Sequence, residues 1–229
     1  LKREAQFVHK CGGNLISERY VLLAAHCIEN NTKSHVRLGE WNTTGDPDCQ
    51  GDLCAPPVQD INIAEVIVHN DYKFPTVKND IALIRLETPA KLNSFVQPVC
   101  LPYGAAMSKD FTNEDTISAG WGRLGNPQQG LNQTVTDASK CREAYATIFY
   151  DVNYNDGQIC AGGEKRKSVC IGDSGGPLYW KGSFKPGASA RTFLLGITSH
   201  GPGSCMKEFP IVFTRTSFFM KWILDHMKE

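Results

Sequence analysis

Cys170-Ile171-Gly172-Asp173-Ser174-Gly175-Gly176-Pro177 is the most informative run in this 229-residue chain. A serine flanked by glycines can sit on a tight turn, its hydroxyl exposed and backbone N–H groups aimed at one point. Such N–H groups stabilise the oxyanion that develops when a hydroxyl attacks a carbonyl. The same residues also make an ordinary surface turn, so the run taken alone leaves both readings open.

The run also fits the Gly-x-Ser-x-Gly elbow of α/β-hydrolases, in which the acid and the histidine follow the serine. Only 55 residues follow Ser174; they hold His200 and His226 but no alternation of strand and helix. Chain order excludes that fold. Working outward, short β-rich runs recur at Tyr20–Leu23, Ile61–Val68, Ile81–Leu86, Phe193–Ile197 and Ile211–Thr214, separated by Gly, Pro, Asn and Asp. This spacing points to an all-β antiparallel barrel or sandwich. Two segments read as helical, Ala138–Ala146 and Ser217–Lys228. In the second, Phe218, Trp222, Ile223 and Leu224 are expected to form an apolar face for packing.

Composition narrows the function. Hydrophobic residues make up 41% and charged residues 21%, with zero formal net charge. No basic surplus draws the chain to nucleic acid or an anionic membrane, and no apolar run approaches the roughly 20 residues that span a bilayer. Leu1-Lys2-Arg3-Glu4 does not read as a signal peptide. Nine cysteines, with Asn-x-Thr sequons at Asn30, Asn42 and Asn132 expected on glycosylated surface loops, favour an oxidising, secreted setting.

Upstream of Ser174 lie Ala24-Ala25-His26-Cys27 and Asn79-Asp80-Ile81-Ala82-Leu83. A histidine beside a cysteine is usually structural, and Asn-Asp before a β-run is usually a turn. The order His, Asp, Ser changes that reading. With Cys11-Gly12-Gly13, Arg37-Leu38-Gly39-Glu40, Pro98-Val99-Cys100-Leu101-Pro102, Gly120-Trp121-Gly122, Cys160-Ala161-Gly162 and Trp222-Ile223, the chain resembles the chymotrypsin–trypsin family over nearly its whole length. The resemblance implies one protease domain over residues 1–229, built of two six-stranded antiparallel β-barrels with a C-terminal helix. His26 is then the general base, Asp80 fixes its tautomer and Ser174 attacks the peptide carbonyl. The N–H groups of Gly172 and Ser174 form the oxyanion hole, each donor worth roughly 3 to 4 kcal/mol.

In this family the residue six before the nucleophile floors the specificity pocket; here it is Ser168, not an aspartate. Buried Arg or Lys without a counter-charge costs several kcal/mol. Val169 beside it is apolar, Ile211 stands where deep pockets have glycine, and Ser199 and Gly201 supply ordinary walls. An uncharged, shortened pocket is expected. His200 replaces the aromatic residue usual at its position. A catalytically silent homologue with a blocked pocket is the competing reading, and a digestive elastase-like enzyme is a third.

The resemblance pairs Cys11 with Cys27, Cys141 with Cys160 and Cys170 with Cys205; Cys49 and Cys54, close together in an acidic insertion, are taken as a fourth pair. Cys100 is left over, at a position that in some relatives tethers an upstream regulatory segment. The insertion Cys49–Asp60 looks like that of arthropod clip-domain proteases. It implies a cascade leading to melanisation or cytokine processing, with a protease zymogen or cytokine precursor as substrate and serpin-type inhibitors as partners. No cofactor is required, but Glu40, with Asp46, Asp48 or Asp60, could hold structural calcium; a solvated acidic loop is the alternative.

Active members of the family start with a short hydrophobic segment whose ammonium pairs with the aspartate before the nucleophile, here Asp173. This chain begins ten residues before Cys11, and Trp121–Cys141 is shorter than in relatives. The expectation is a zymogen-like state, with Asp173 lacking an ammonium and the Gly172 N–H turned away from the oxyanion position.

Overall fold

The computed structural model describes residues 9–28, 35–74, 78–122, 128–146, 156–164, 169, 171–184, 187–202 and 208–228. Its first half contains β1 (Asn14–Leu15), β2 (Tyr20–Leu23), β3 (His35–Leu38), β4 (Cys49–Gln50), β5 (Leu53–Cys54), β6 (Gln59–Val68) and β7 (Ala82–Leu86). The second half contains β8 (Asp115–Gly120), β9 (Gln129–Thr136), α1 (Ala138–Tyr145), β10 (Gln158–Gly162), β11 (Pro177–Gly182), β12 (Arg191–His200), β13 (Pro210–Arg215) and α2 (Met220–His226).

The second half closes as a six-stranded antiparallel barrel in the order β8-β9-β10-β13-β12-β11. Closure leaves no free edge. Leu178, Leu195, Ile211 and Phe213 fill its interior. Packing there is tight enough that a Cβ on Gly196 would stand 2.8 Å from the Phe213 Cβ.

The first half departs from the expected six strands. Among the described residues it is a five-stranded sheet, β1-β2-β7-β6-β3, curled into a half-barrel. β1 is only two residues long and pairs with β2 alone, and β3 pairs with β6 alone, so the two edges never meet. Leu15, Val21, Leu23, Val36, Leu38 and Ile84 line the groove between them. β2 and β7 form the centre of the sheet and are almost wholly buried. β4 and β5 make a separate hairpin in the acidic insertion.

Both expected helices form, with shifted bounds. Asp137 caps α1, its carboxylate accepting the Ser139 N–H at 2.7 Å. Ahead of α2, Thr216–Phe219 is a 3₁₀ turn. That tighter turn changes the phase of the apolar stripe. Phe219 and Ile223 therefore enter the core, while Phe218 and Leu224, expected to pack, are exposed. Through Phe219 and Ile223 the end of the chain returns to the core of the first half. Asn132 is also displaced from expectation: it lies on the exposed face of β9 rather than in a loop.

Candidate active site

Asp80 is the centre of the site. It sits just ahead of β7, after Asn79 at φ 55°, a left-handed conformation that asparagine tolerates well. The Ile81 N–H donates to the Asn79 carbonyl at 2.8 Å, bending the chain around Asp80. The Asp80 side chain is fully buried. Its carboxylate accepts the His26 backbone N–H at 2.9 Å on Oδ1 and the Ser199 hydroxyl at 2.6 Å on Oδ2. The Oδ2 atom also meets His26 Nδ1 at 2.8 Å. A buried carboxylate is an acceptor only, so the ring nitrogen facing it carries the proton and leaves Nε2 as the open base. Thr214 adds a hydrogen bond from Oγ1 to the Asp80 carbonyl at 2.8 Å.

His26 lies on the short 3₁₀ turn Ala25–Cys27, about a quarter of its side chain exposed. The Cys11–Cys27 disulfide ties this turn to Cys11-Gly12-Gly13. The Gly12 N–H donates to the Ser174 carbonyl at 2.7 Å. Gly175, at φ 76°, packs so closely on Gly12 that no Cβ fits; that Cβ would lie 3.3 Å from Cys27 Sγ and 3.4 Å from Ala24 N. Ser174 is thereby pressed against the histidine turn. The nucleophile candidate and the base candidate are brought together by backbone contact between glycines.

The Ser174 turn is held by Gly175 N–H to the Thr198 carbonyl at 2.9 Å and Gly176 N–H to the Asp173 carbonyl at 2.9 Å. Asn14 Nδ2 donates to the Gly175 carbonyl at 3.0 Å. Among the described residues, no acceptor meets the N–H of Gly172 or Ser174. The Gly172 carbonyl is engaged instead, 2.7 Å from His9 Nε2. Asp173 Oδ1 accepts the Gly122 N–H at 2.8 Å. The expectation that Asp173 lacks an ammonium turns on residues 1–8, which lie outside those described, as does 123–127.

Of the pocket residues, Ser168 falls outside the described residues. Val169 packs on the barrel core and Ile211 is fully buried in it. A Cβ on Gly201 would lie 2.8 Å from Ile211 Cδ1. Ile211 therefore fills the space beside the Gly201 wall. Ser199, read from sequence only as a wall, turns out to hold Asp80. A register shift between Thr198 and His200 in the β12–β13 ladder re-aims it. No local sequence signal marks that contact, which spans 119 positions.

Cys11–Cys27, Cys49–Cys54 and Cys141–Cys160 are disulfides; Cys170, Cys205 and Asn30 lie outside the described residues. Cys100 is a free thiol, half-buried and bridged to Phe193 of β12, its N–H reaching the Thr192 carbonyl at 3.3 Å. Cys11, His26 and Cys27 offer ligand atoms within 4.8 Å of one another, but the two sulfurs are bonded to each other and unavailable to a metal. In the acidic loop, Arg37 grips both Asp60 oxygens at 2.8 and 2.7 Å. Asp48 Oδ2 accepts the Trp41 and Asn42 N–H groups, and Asp46 Oδ1 the Val58 N–H. Glu40 alone keeps a buried oxygen, Oε1, without a partner. Burial and then the charge of Asp48 push its protonation upward. Asp60, and to a lesser degree Asp46 and Asp48, thus drop out as expected calcium donors because other groups already occupy them.

Three comparisons agree with this geometry. The trypsin family profile matches residues 1–223. The chain belongs to the trypsin family. It is 40% identical to phenoloxidase-activating factor 3 of Holotrichia diomphalia, with 95% of this chain and 64% of that protein aligned. It is 36% identical to the Spaetzle-processing enzyme of Drosophila melanogaster, covering 97% and 60%. The chain thus spans less than two thirds of the length of these relatives. Among solved structures it superposes on neuropsin, a serine protease of mouse brain, with TM-score 0.75 and 31% identity over 95% of this chain and 89% of that one.

His200 is where this trypsin-family chain carries an unusual titratable group. Its ring packs edge-on against Tyr145, 5.4 Å between centroids, and its Nδ1 lies 3.4 Å from Ser199 Oγ. Burial lowers its pKa to about 4; Asp80 opposes that shift and His26 adds to it. Above pH 6.5 the ring is neutral folded or unfolded. As pH falls from 6.5 toward 4 the unfolded chain gains a proton that the folded one refuses, so stability drops by up to roughly 3 kcal/mol and levels off below 4. His200→Phe should lose less stability than wild type over that window, a difference of about 5–10 °C in Tm by pH 4. Parallel Tm–pH curves for the two proteins would refute the assignment.

Proposed function

We propose that this protein is a secreted serine endopeptidase acting by an acyl-enzyme mechanism. The carrying observation is the buried Asp80 carboxylate holding His26, set against Ser174 on a turn with two uncommitted N–H groups. In this mechanism His26 Nε2 takes the Ser174 hydroxyl proton as Oγ attacks the peptide carbonyl. Asp80 keeps the ring in the Nδ1–H tautomer and stabilises the imidazolium. The N–H groups of Gly172 and Ser174 receive the oxyanion, and His26 returns the proton to the leaving amine. Water repeats the sequence to release the acid. Catalysis in this family uses protein groups alone, with no cofactor.

Specificity follows from Ile211. Filled by its side chain beside Gly201, the pocket suits Val, Ala or Leu before the scissile bond. The same filling favours a second reading, a silent homologue that binds without cleaving. A fluorophosphonate probe and a peptide library separate them. Wild type should be labelled and should prefer the small apolar residues over Arg, and Ser174→Ala should abolish labelling. Unlabelled wild type would establish the silent reading, and efficient cleavage after Arg would remove the pocket argument.

The place of action is proposed to be an extracellular cascade. Three disulfides support an oxidising compartment, and relatives named for phenoloxidase activation and Spaetzle processing support a protein substrate, either a protease zymogen or a cytokine precursor. Serpin-type inhibitors are the corresponding regulators. Cys100, half-buried and unpaired within this chain, supports a disulfide to an upstream clip segment. A disulfide map of the full-length secreted protein should show Cys100 oxidised to a cysteine outside these residues; a free thiol there overturns the tether.

Calcium, if held, would be held by Glu40 Oε1, a buried oxygen beside the charge of Asp48. One such oxygen is few against the six to eight that calcium takes, so carbonyls and water would supply the rest. Added calcium should raise Tm by a few degrees over an EDTA control, and Glu40→Gln should remove the increment; a wild-type Tm indifferent to calcium rules the ion out.

A further inference from the structure

The acidic insertion and the oxyanion turn are far apart in sequence but joined by a short series of hydrogen bonds. Asp48 Oδ2 accepts the Trp41 and Asn42 N–H groups at 2.8 and 3.0 Å, which fixes the peptide at Trp41. The Trp41 carbonyl then accepts two donors from the second half of the molecule: Trp121 Nε1–H at 3.1 Å and the Gln128 N–H at 2.8 Å. Next to Trp121, the Gly122 N–H donates to Asp173 Oδ1 at 2.8 Å. Asp173 lies between Gly172 and Ser174, the two oxyanion donors. Its carboxylate is so close to Gly120 and Gly122 that neither could carry a Cβ. Gly172 touches the same segment, a Cβ there falling 3.1 Å from Gly122 Cα. The Trp121 ring stands 5.7 Å from that of His9, which meets the Gly172 carbonyl.

We propose that Trp121 and Asp48 are positioning residues for the oxyanion turn, acting through the Trp41 carbonyl and the Gly122–Asp173 hydrogen bond. The inference rests on the protease reading of the same site and extends it to the acidic loop. Neither residue is among the triad or pocket candidates. Each restricts where Gly122 can stand, and Gly122 restricts Asp173. A shift of the oxyanion donors costs transition-state stabilisation while leaving ground-state binding nearly intact, so its signature is in kcat rather than KM.

Trp121→Phe keeps an aromatic ring beside His9 and removes only the indole N–H. On the best peptide from the library, kcat should fall about 10- to 100-fold with KM changed less than about twofold. Asp48→Ala should show the same split. Asp48→Asn, whose side-chain oxygen still accepts N–H groups, should recover most of the loss. The same variants in a Ser174→Ala background are read by hydrogen exchange of residues 171–176, which should quicken in Trp121→Phe and Asp48→Ala and not in Asp48→Asn. Exchange at the parental rate in both, or a lowered Tm with kcat intact, overturns the proposal. A wild-type chain without activity defeats the protease reading only, and the exchange measurement still decides the relay.

Discussion

Everything at this site hangs on a carboxylate that has been taken out of water. Asp80 is wholly enclosed, and a lone buried carboxylate costs several kcal/mol unless donors surround it. Three donors do: the His26 backbone, the His26 ring and the Ser199 hydroxyl. They come from both halves of the molecule. His26 belongs to the half-barrel and Ser199 to the closed barrel, so satisfying one charge fixes the two halves relative to each other. The imidazole orientation is a by-product of that requirement. Its Nδ1 must face Asp80, which leaves Nε2 as the open base.

The second constraint is steric. Gly12, Gly175 and Gly176 let two backbones approach to distances that side chains forbid; a Cβ on Gly12 would lie 2.9 Å from Gly176 Cα. Asp173 is received the same way between Gly120 and Gly122. Glycine costs conformational entropy on folding, and here that cost is met where a side chain would push the Ser174 turn away from the His26 turn. The Cys11–Cys27 disulfide helps hold the arrangement from the other side.

The proposed selectivity rests on a different element. Ile211 lies on β13 opposite Ala161 of β10, facing the inside of the closed barrel. Its side chain belongs at once to the core and to the pocket wall. A substitution at this position therefore repacks the barrel, whereas the triad candidates sit in the seam between halves. His200, one residue beyond Ser199, joins the two regions: it touches Tyr145 of α1 and stands close to the Asp80 network.

Much of this was legible in the residues themselves. Short β-rich runs located β2, β6, β7, β12 and β13, because a strand must be apolar on each face it buries in a sheet. The triad candidates, three of the disulfides and the glycine-rich turn followed from residue order and from resemblance over the whole chain. Other features were out of reach because they arise between positions far apart. The half-barrel rather than a closed first barrel depends on where the edges of β1 and β3 end in space. Phe218 and Leu224 are exposed because a 3₁₀ turn resets the phase of the last helix. Arg37 claims Asp60 across a strand pair and so removes a calcium donor that sequence alone counted as free. Ser199 reaches Asp80 only because a bulge turns it. Sequence by itself determined which chemical groups were present and the periodicity that sorted them into strands. Tertiary structure decided which of those groups face one another, since hydrogen bonds and close packing act over a few ångströms, whatever the separation along the chain.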